Sequence, residues 1–291
     1  RRLAYFPRCG KHFSMVWKNR ETFFHGVENR GHGGKDRPWR GFAQGVADLR
    51  AGEYSPGMRF SVVIPARNEV QWIGACLDSI RAASGPYPGQ IETIVVLNRC
   101  TDATEEIARR HGARVVRDDR KNLAMIRNTG ARAATGEILV TIDADSRMSA
   151  NMLVEIDRAL AGGNTVGGGV PIRPARWSVG IFLTGLLIHA MLPGLSAGLF
   201  WCHRKDFEAL GGFNESLRVG EDVDFAKRLR TFGKKARRPF RTLWRTHIVT
   251  SCRKFDVLGD WYCLKRPGLL WRAIHGIDRG IGDKIFYDFE R

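Results

Sequence analysis

Two acidic segments far apart in the chain carry the residue types and spacing that chemistry needs. The first, Asp143-Ala144-Asp145, follows the apolar run 138–142 where a buried strand gives way to a loop. Two carboxylates one residue apart at such a point can reach one ligand from one side. Their hard oxygens suit Mg2+ or Mn2+, with phosphate oxygens and water completing the shell. An Asp-x-Asp also serves as a plain turn into the following helix, so alone it leaves both readings open. The second, Val219-Gly220-Glu221-Asp222-Val223-Asp224, opens a helix whose apolar face is Phe225, Ala226, Leu229 and Phe232. Acids in a first helical turn complement the helix dipole, which accounts for one or two of the three. A carboxylate fixed there can also take the proton of an attacking hydroxyl.

Three further segments bear polar groups at element ends. Pro65-Ala66-Arg67-Asn68-Glu69 closes a first strand, and Asn98-Arg99-Cys100-Thr101-Asp102 closes a second. These loops can read a nucleobase, although helix capping accounts equally well for Asn68 or Glu69 taken singly. Arg127 and Asn128 lie on a helix, where they are either diphosphate or ribose contacts or ordinary helix surface.

The elements that must position these groups are legible as periodicity. Ser61-Val62-Val63-Ile64 is too short for a helix and rich in β-branched residues, so it predicts a buried strand. Ile73, Cys76, Leu77 and Ile80 recur at i, i+3, i+4 and i+7, the stripe of a helix packed on a sheet. Strands at 91–97, 113–116 and 137–142 then alternate with helices at 103–111, 123–134 and 149–160. Such alternation predicts an α/β fold with a mostly parallel central sheet flanked by helices, and ligands in sheets of this type sit beyond the carboxyl ends of the strands. Further strands are expected at 166–172 and 196–202. Between them the run 179–192 is strongly apolar, but Pro193, Gly194 and Gly198 divide the stretch and His189 interrupts it. A buried or interfacial helix followed by a strand fits this better than a membrane span.

Composition narrows the class. The 291 residues are 43% hydrophobic and 26% charged, a globular balance able to bury a sizeable core. The six cysteines stand singly, with no CxxC or metal-finger spacing, which points to a reduced, cytoplasmic protein. Lys and Arg number 47 against 30 acids, a net charge of +17 that attracts phosphates, nucleic acid or an anionic membrane face. The basic residues are not interleaved with an aromatic platform, which disfavours nucleic acid as the partner. Residues 1–57 lack a hydrophobic signal core and read as an extension, with Met58 as the expected natural start. Residues 58–255 form the expected catalytic domain, and 256–291 a helical tail.

Taken in order, these segments resemble the family 2 glycosyltransferases of GT-A (Rossmann-like) fold. The matching features are the Pro-x-x-Asn-Glu strand end, the Thr-Asp turn, Arg127-Asn128-Thr129-Gly130, Gly136-Glu137 and Asp143-Ala144-Asp145. Gly211-Gly212-Phe213 and Gly220-Glu221-Asp222 follow. The resemblance covers residues 60–255. It implies transfer of a sugar from a nucleoside diphosphate sugar, a UDP-sugar first, to a hydroxyl acceptor that is a glycan, a lipid or a small molecule. It further implies that Pro65, Ala66, Arg67, Asn68, Glu69 and Asn98 line the nucleobase and ribose pocket, with Arg127 and Asn128 near the diphosphate. Asp143 would contact ribose or metal, Asp145 would ligate Mg2+ or Mn2+, and Ala144 would lie between them. Asp222 would be the general base of an inverting displacement, and Glu221 would position the acceptor. His247 would complete the metal site, and Arg253 would reach the diphosphate. Asn98 stands where the family often has an acid, which leaves the nucleobase open. A retaining transferase of the same fold is the nearest variant. A non-catalytic nucleotide- or nucleic-acid-binding protein is the alternative from another class. A peripheral contact with the inner face of a membrane is a further expectation.

Overall fold

The computed structural model describes residues 57–192, 195 and 199–274. From Phe60 onward the alternation of apolar runs becomes alternation of strand and helix. The strands β1 (Phe60–Ala66), β2 (Ile91–Leu97), β3 (Arg114–Arg117) and β4 (Ile138–Ile142) are linked by helices α1 (Ile73–Ala83), α2 (Thr104–Arg110) and α3 (Leu123–Ala133). Every residue of β4 is buried, as a strand covered on both faces requires. β1 lies between β2 and β4 and parallel to both, with Phe60 beside Ile91 and Ile138. From β3 the chain returns through α3 to β4 on the other side of β1. The winding therefore reverses between β1 and β4, and a crevice opens beyond their carboxyl ends. Val63 pairs with Thr141, and two residues further along each strand stand Pro65 and Asp143.

α3 lies hard against this crevice. A Cβ at Gly130 would overlap the Val63 and Val96 side chains, so only glycine permits the approach that brings Arg127, one turn earlier, to the same edge.

After β4 come β5 (Ser146–Met148), α4 (Met152–Ala161), β6 (Gly167–Gly169), β7 (Ile172–Pro174), α5 (Val179–Met191), β8 (Leu199–His203) and α6 (Arg204–Ala209). α7 (Glu221–Lys235), β9 (Phe240–Thr242) and β10 (Ile248–Thr250) follow. The large sheet runs β3-β2-β1-β4-β8-β6-β9, mostly parallel but with β8 antiparallel to both neighbours. A small sheet, β5-β10-β7, sits apart from it. α7 closes one face by packing Phe225 among Phe200, Phe207 and Phe213.

The single strand expected at 166–172 is two. β6 joins the large sheet and β7 the small one, because Pro171 after Val170 turns the chain out of the ladder. The strand expected at 196–202 is β8, whose described part begins at Leu199. The apolar run 179–192 is helical, but it is not buried. Gly180, Ile181 and Thr184 face inward, while Phe182, Leu183 and Leu186 are exposed. Among the described residues no helix is long and apolar enough to cross a membrane. Residues 253–274 form α8 (Arg253–Leu258), α9 (Tyr262–Lys265) and α10 (Pro267–Ile274). The expected extension before Gly57 and the end of the expected tail, 275–291, lie outside the described residues.

Candidate active site

A cavity of about 320 Å³ occupies the crevice. Strand ends supply Pro65, Ala66, Arg67, Glu69 and Asn98 to its wall, α3 supplies Arg127, and the β4–β5 turn supplies Asp143, Ala144 and Asp145. Gly220, Glu221 and Asp222 enter at the start of α7, and Arg253 and Lys254 at the start of α8. Gly220 has φ 74° in the left-handed region, and this lets the chain turn sharply enough to present the two acids that follow.

Arg127 organises the acids. Its side chain is 9% exposed; Nη1 donates to Glu221 Oε1 at 2.6 Å and Nη2 to Asp143 Oδ1 at 2.8 Å. Arg127, expected near a diphosphate, lines the cavity, and its guanidinium ties the β4 loop to the start of α7. The same guanidinium charge also acts on Asp222. Burial raises the Glu221 carboxyl to about 7, with Arg127 opposing and the Asp222 charge reinforcing. Burial likewise raises Asp222, opposed by Arg127 and by the Val223 N–H that donates to Asp222 Oδ1 at 2.7 Å. Burial would raise Asp143 too, but Arg127, Lys254 and Arg253 outweigh it and hold this carboxyl low.

A second arginine fixes the other wall. Arg253 grips Glu69 through both terminal nitrogens, at 2.8 and 2.9 Å, across 184 residues of sequence, and its Nη2 lies 3.1 Å from Asp145 Oδ2. Ser251 Oγ donates to the same Asp145 oxygen at 2.6 Å, and Ser251 N to the Asp145 carbonyl at 3.1 Å. Glu69 is thus a buried ion-pair partner, and its carbonyl also accepts from Trp72 N and Ile73 N at the start of α1.

Several expected residues have other roles. Asn68 lies outside the cavity lining; its Oδ1 accepts from Thr101 N at 2.8 Å and clasps the first two strand loops together. Asn98 lines the cavity, but its Nδ2 donates to the carbonyls of Asp118 and Arg120, at 2.5 and 2.9 Å, so the amide holds the loop after β3. Asn128 does not share the cavity. Its Oδ1 accepts from Phe213 N at 2.9 Å and its Nδ2 donates to Phe213 O at 2.9 Å, locking α3 to the Gly211-Gly212-Phe213 turn. His247 is not among the residues that line the cavity. It precedes β10, about 13 Å along an extended chain from Ser251. Burial and the charge of Arg173 lower its pKa. Among the described residues no three His, Cys, Asp or Glu side chains converge as metal ligands.

Ser251, Arg218 and Lys254 join the site without having been singled out from sequence. Adjacency to Arg253 is the one cue available for Ser251 and Lys254, and Arg218 carries none.

An open α/β sheet with a crevice at its winding reversal, an Asp-x-Asp turn at one lip and an acidic helix start at the other is the architecture of the GT-A fold. Solved structures agree with that fold. The chain is similar to the glucosyl-3-phosphoglycerate synthase of Mycobacterium tuberculosis, solved with Mn2+, UDP and glucosyl-3-phosphoglycerate. The TM-score is 0.54 at 23% identity, covering 85% of this chain and 88% of that one. It is also similar to a mannosyltransferase of Pyrobaculum calidifontis, solved with GDP-Man and Mn2+, at TM-score 0.52 and 21% identity, covering 81% and 75%. S. aureus TarS residues 1–349 give 0.54 at 17%, covering 80% and 70%. At these identities the likeness defines the fold.

Residues 61–178 match the glycosyl transferase family 2 model. Among curated relatives it is 35% identical over 106 residues to an uncharacterized glycosyltransferase of Mycobacterium tuberculosis, covering 35% of this chain and 45% of the relative. It is 33% identical over 91 residues to glycosyltransferase AglE of Haloferax volcanii, covering 29% and 30%. The chain thus matches less than half the length of these curated relatives.

Proposed function

We propose that this protein transfers a sugar from a nucleoside diphosphate sugar to a hydroxyl acceptor with inversion, and that Asp222 is the general base. One observation carries the reading: Asp143 and Asp145, from the end of β4, line the same cavity as Glu221 and Asp222 from the start of α7. A base and a loop of carboxylates able to hold a divalent cation, facing one space, are what metal-assisted displacement at an anomeric carbon requires.

The donor set suits Mg2+ or Mn2+. Such ions commonly bind through one or two carboxylates and fill their remaining positions with substrate phosphate and water, so a third protein ligand is not demanded. Asp145 and Asp143 would hold the ion, which when bound neutralises the departing diphosphate. Arg253 and Ser251 orient Asp145 while Arg127 orients Asp143. Lys254, Arg218 and Arg67 add positive charge to the wall that faces the phosphates. Asp222, held by the Val223 N–H, accepts the acceptor's hydroxyl proton, and burial keeps it basic enough to do so. Pro65, Ala66 and Arg67 at the end of β1 would shape the nucleoside subsite. UDP is the first nucleotide to test, since UDP and GDP-Man accompany Mn2+ in the solved relatives.

The test is a thermal-shift screen of nucleoside diphosphate sugars with and without Mn2+, followed by NMR of the product's anomeric configuration. Binding to the folded state raises the melting temperature, by an amount set by ligand concentration over Kd. A metal-dependent rise with one donor and an inverted product is expected. A retained configuration sinks the role of Asp222, and no shift with any donor sinks the whole reading.

A further inference from the structure

The surface formed by α5 with α8, α9 and α10 is apolar where a soluble protein's outer face is usually polar. On α5, Val179, Phe182, Leu183 and Leu186 recur at i, i+3, i+4 and i+7, the spacing of a core-facing stripe, yet all four are exposed, Phe182 and Leu186 each at 58%. The opposite side of the helix supplies the inward contacts, through Ile181 and Thr184. Leu192 just past its end clusters with Val223 and Ile274. Trp177, 72% exposed, leads into the helix, while Val257, Trp261 and Trp271 are exposed on the segment that packs beside it. The two segments form one layer. Arg176 pairs with Asp256 and Asp260, and the α5 backbone at Gly180 lies so close to Asp260 that a Cβ there would come within 2.7 Å of its carbonyl oxygen.

Charge says what covers this face. Leaving aside Arg253, whose charge Glu69 and Asp145 meet in the cavity wall, residues 172–192 and 253–274 hold six Lys and Arg (173, 176, 254, 265, 266 and 272) against two acids, a net of +4. Both acids are already paired with Arg176. A second copy docked face to face would set these cations against their own images. An anionic bilayer instead accepts the apolar stripe among its acyl chains, the tryptophans at headgroup depth and the cations at lipid phosphates. With 13 residues α5 is about 20 Å long, short of the roughly 30 Å hydrocarbon core, so it lies along the surface.

We propose that the α5, α8–α10 layer is a docking surface for an anionic lipid bilayer, with Trp177, Phe182 and Leu186 as its inserted side chains. Lys254 of α8 belongs both to this layer and to the cavity wall, so docking holds the cavity mouth at the membrane. The proposal stands independently of the transfer chemistry.

The test is co-sedimentation of the full chain with phosphatidylcholine vesicles, with and without phosphatidylglycerol. The protein is expected to pellet only with the anionic vesicles and to be released by salt. The double variant Phe182→Ser, Leu186→Ser should bind about tenfold or more weakly, since each buried side chain is worth more than one factor of ten in affinity. Should that variant fold poorly by its melting curve, Trp177→Ala, at a position outside any helix, gives the same comparison. Three outcomes overturn the proposal. These are failure of the wild type to pellet with phosphatidylglycerol, unchanged binding by the folded variants, and a wild-type dimer in sedimentation velocity that the variants dissolve.

Discussion

Arg127 Nη1 lies 2.6 Å from Glu221 Oε1, joining two residues 94 positions apart whose side chains are 9% and 8% exposed. Removing one member of a buried ion pair leaves the other charge uncompensated. Arg127→Met is therefore expected to lower unfolding free energy by roughly 3–5 kcal/mol. Urea denaturation measures it, and a loss below about 1 kcal/mol would show that the bridge does not hold the two loops.

Asp222→Asn keeps the shape of the side chain and removes its basicity. The rate of transfer should fall by about 10² to 10⁴ while the nucleotide dissociation constant changes by less than about threefold. Calorimetry with the nucleoside diphosphate, set beside turnover, separates the two effects.

The carboxyl of Glu221, raised by burial to about 7, makes stability depend on pH. An unfolded glutamate titrates near 4.3, so between about 4.3 and 7 the folded protein holds a proton that the unfolded chain has released. Stability contributed by this group is present below that window and is lost as pH rises through it. Glu221→Gln should flatten the decline, and unfolding free energy against pH in both proteins tests this. The rate of transfer should move oppositely at its acid limb, falling as protonation of Asp222 removes the base.

Asp145 and His247 make opposite predictions for metal. Asp145→Asn should raise the Mn2+ concentration for half-maximal activity by tenfold or more, an effect of about 1.4 kcal/mol. His247→Ala should leave it unchanged. A large shift in the histidine variant would show that residue 247 reaches the ion in the working enzyme.

Asn128→Ala removes the side chain that bonds both polar groups of the Phe213 backbone. Leaving them buried and unpaired should cost about 2–4 kcal/mol, with nucleotide affinity unaffected. Lost affinity in a variant of normal stability would return Asn128 to the substrate.

Neighbouring residues 127 and 128 mark where sequence reasoning stops. Both were candidate phosphate contacts, and the helix over 123–134 was legible from its periodicity. Successive side chains on a helix diverge by about 100°, so one enters the crevice and the next locks a remote turn. Nothing local to Arg127 says that Glu221 will lie opposite it.

By itself the sequence determined the strands and helices from 60 to 142, the parallel sheet, and the placing of Asp143 and Asp145 at a strand's end. Apolar period and turn residues report burial along each element directly. Tertiary structure alone decided that Arg253 meets Glu69 across 184 residues, that β5, β7 and β10 form a separate sheet, and that His247 falls outside the cavity lining. It also left the apolar run over α5 half outside rather than buried. Period states that a face is apolar, whereas what that face meets depends on where the chain crosses itself.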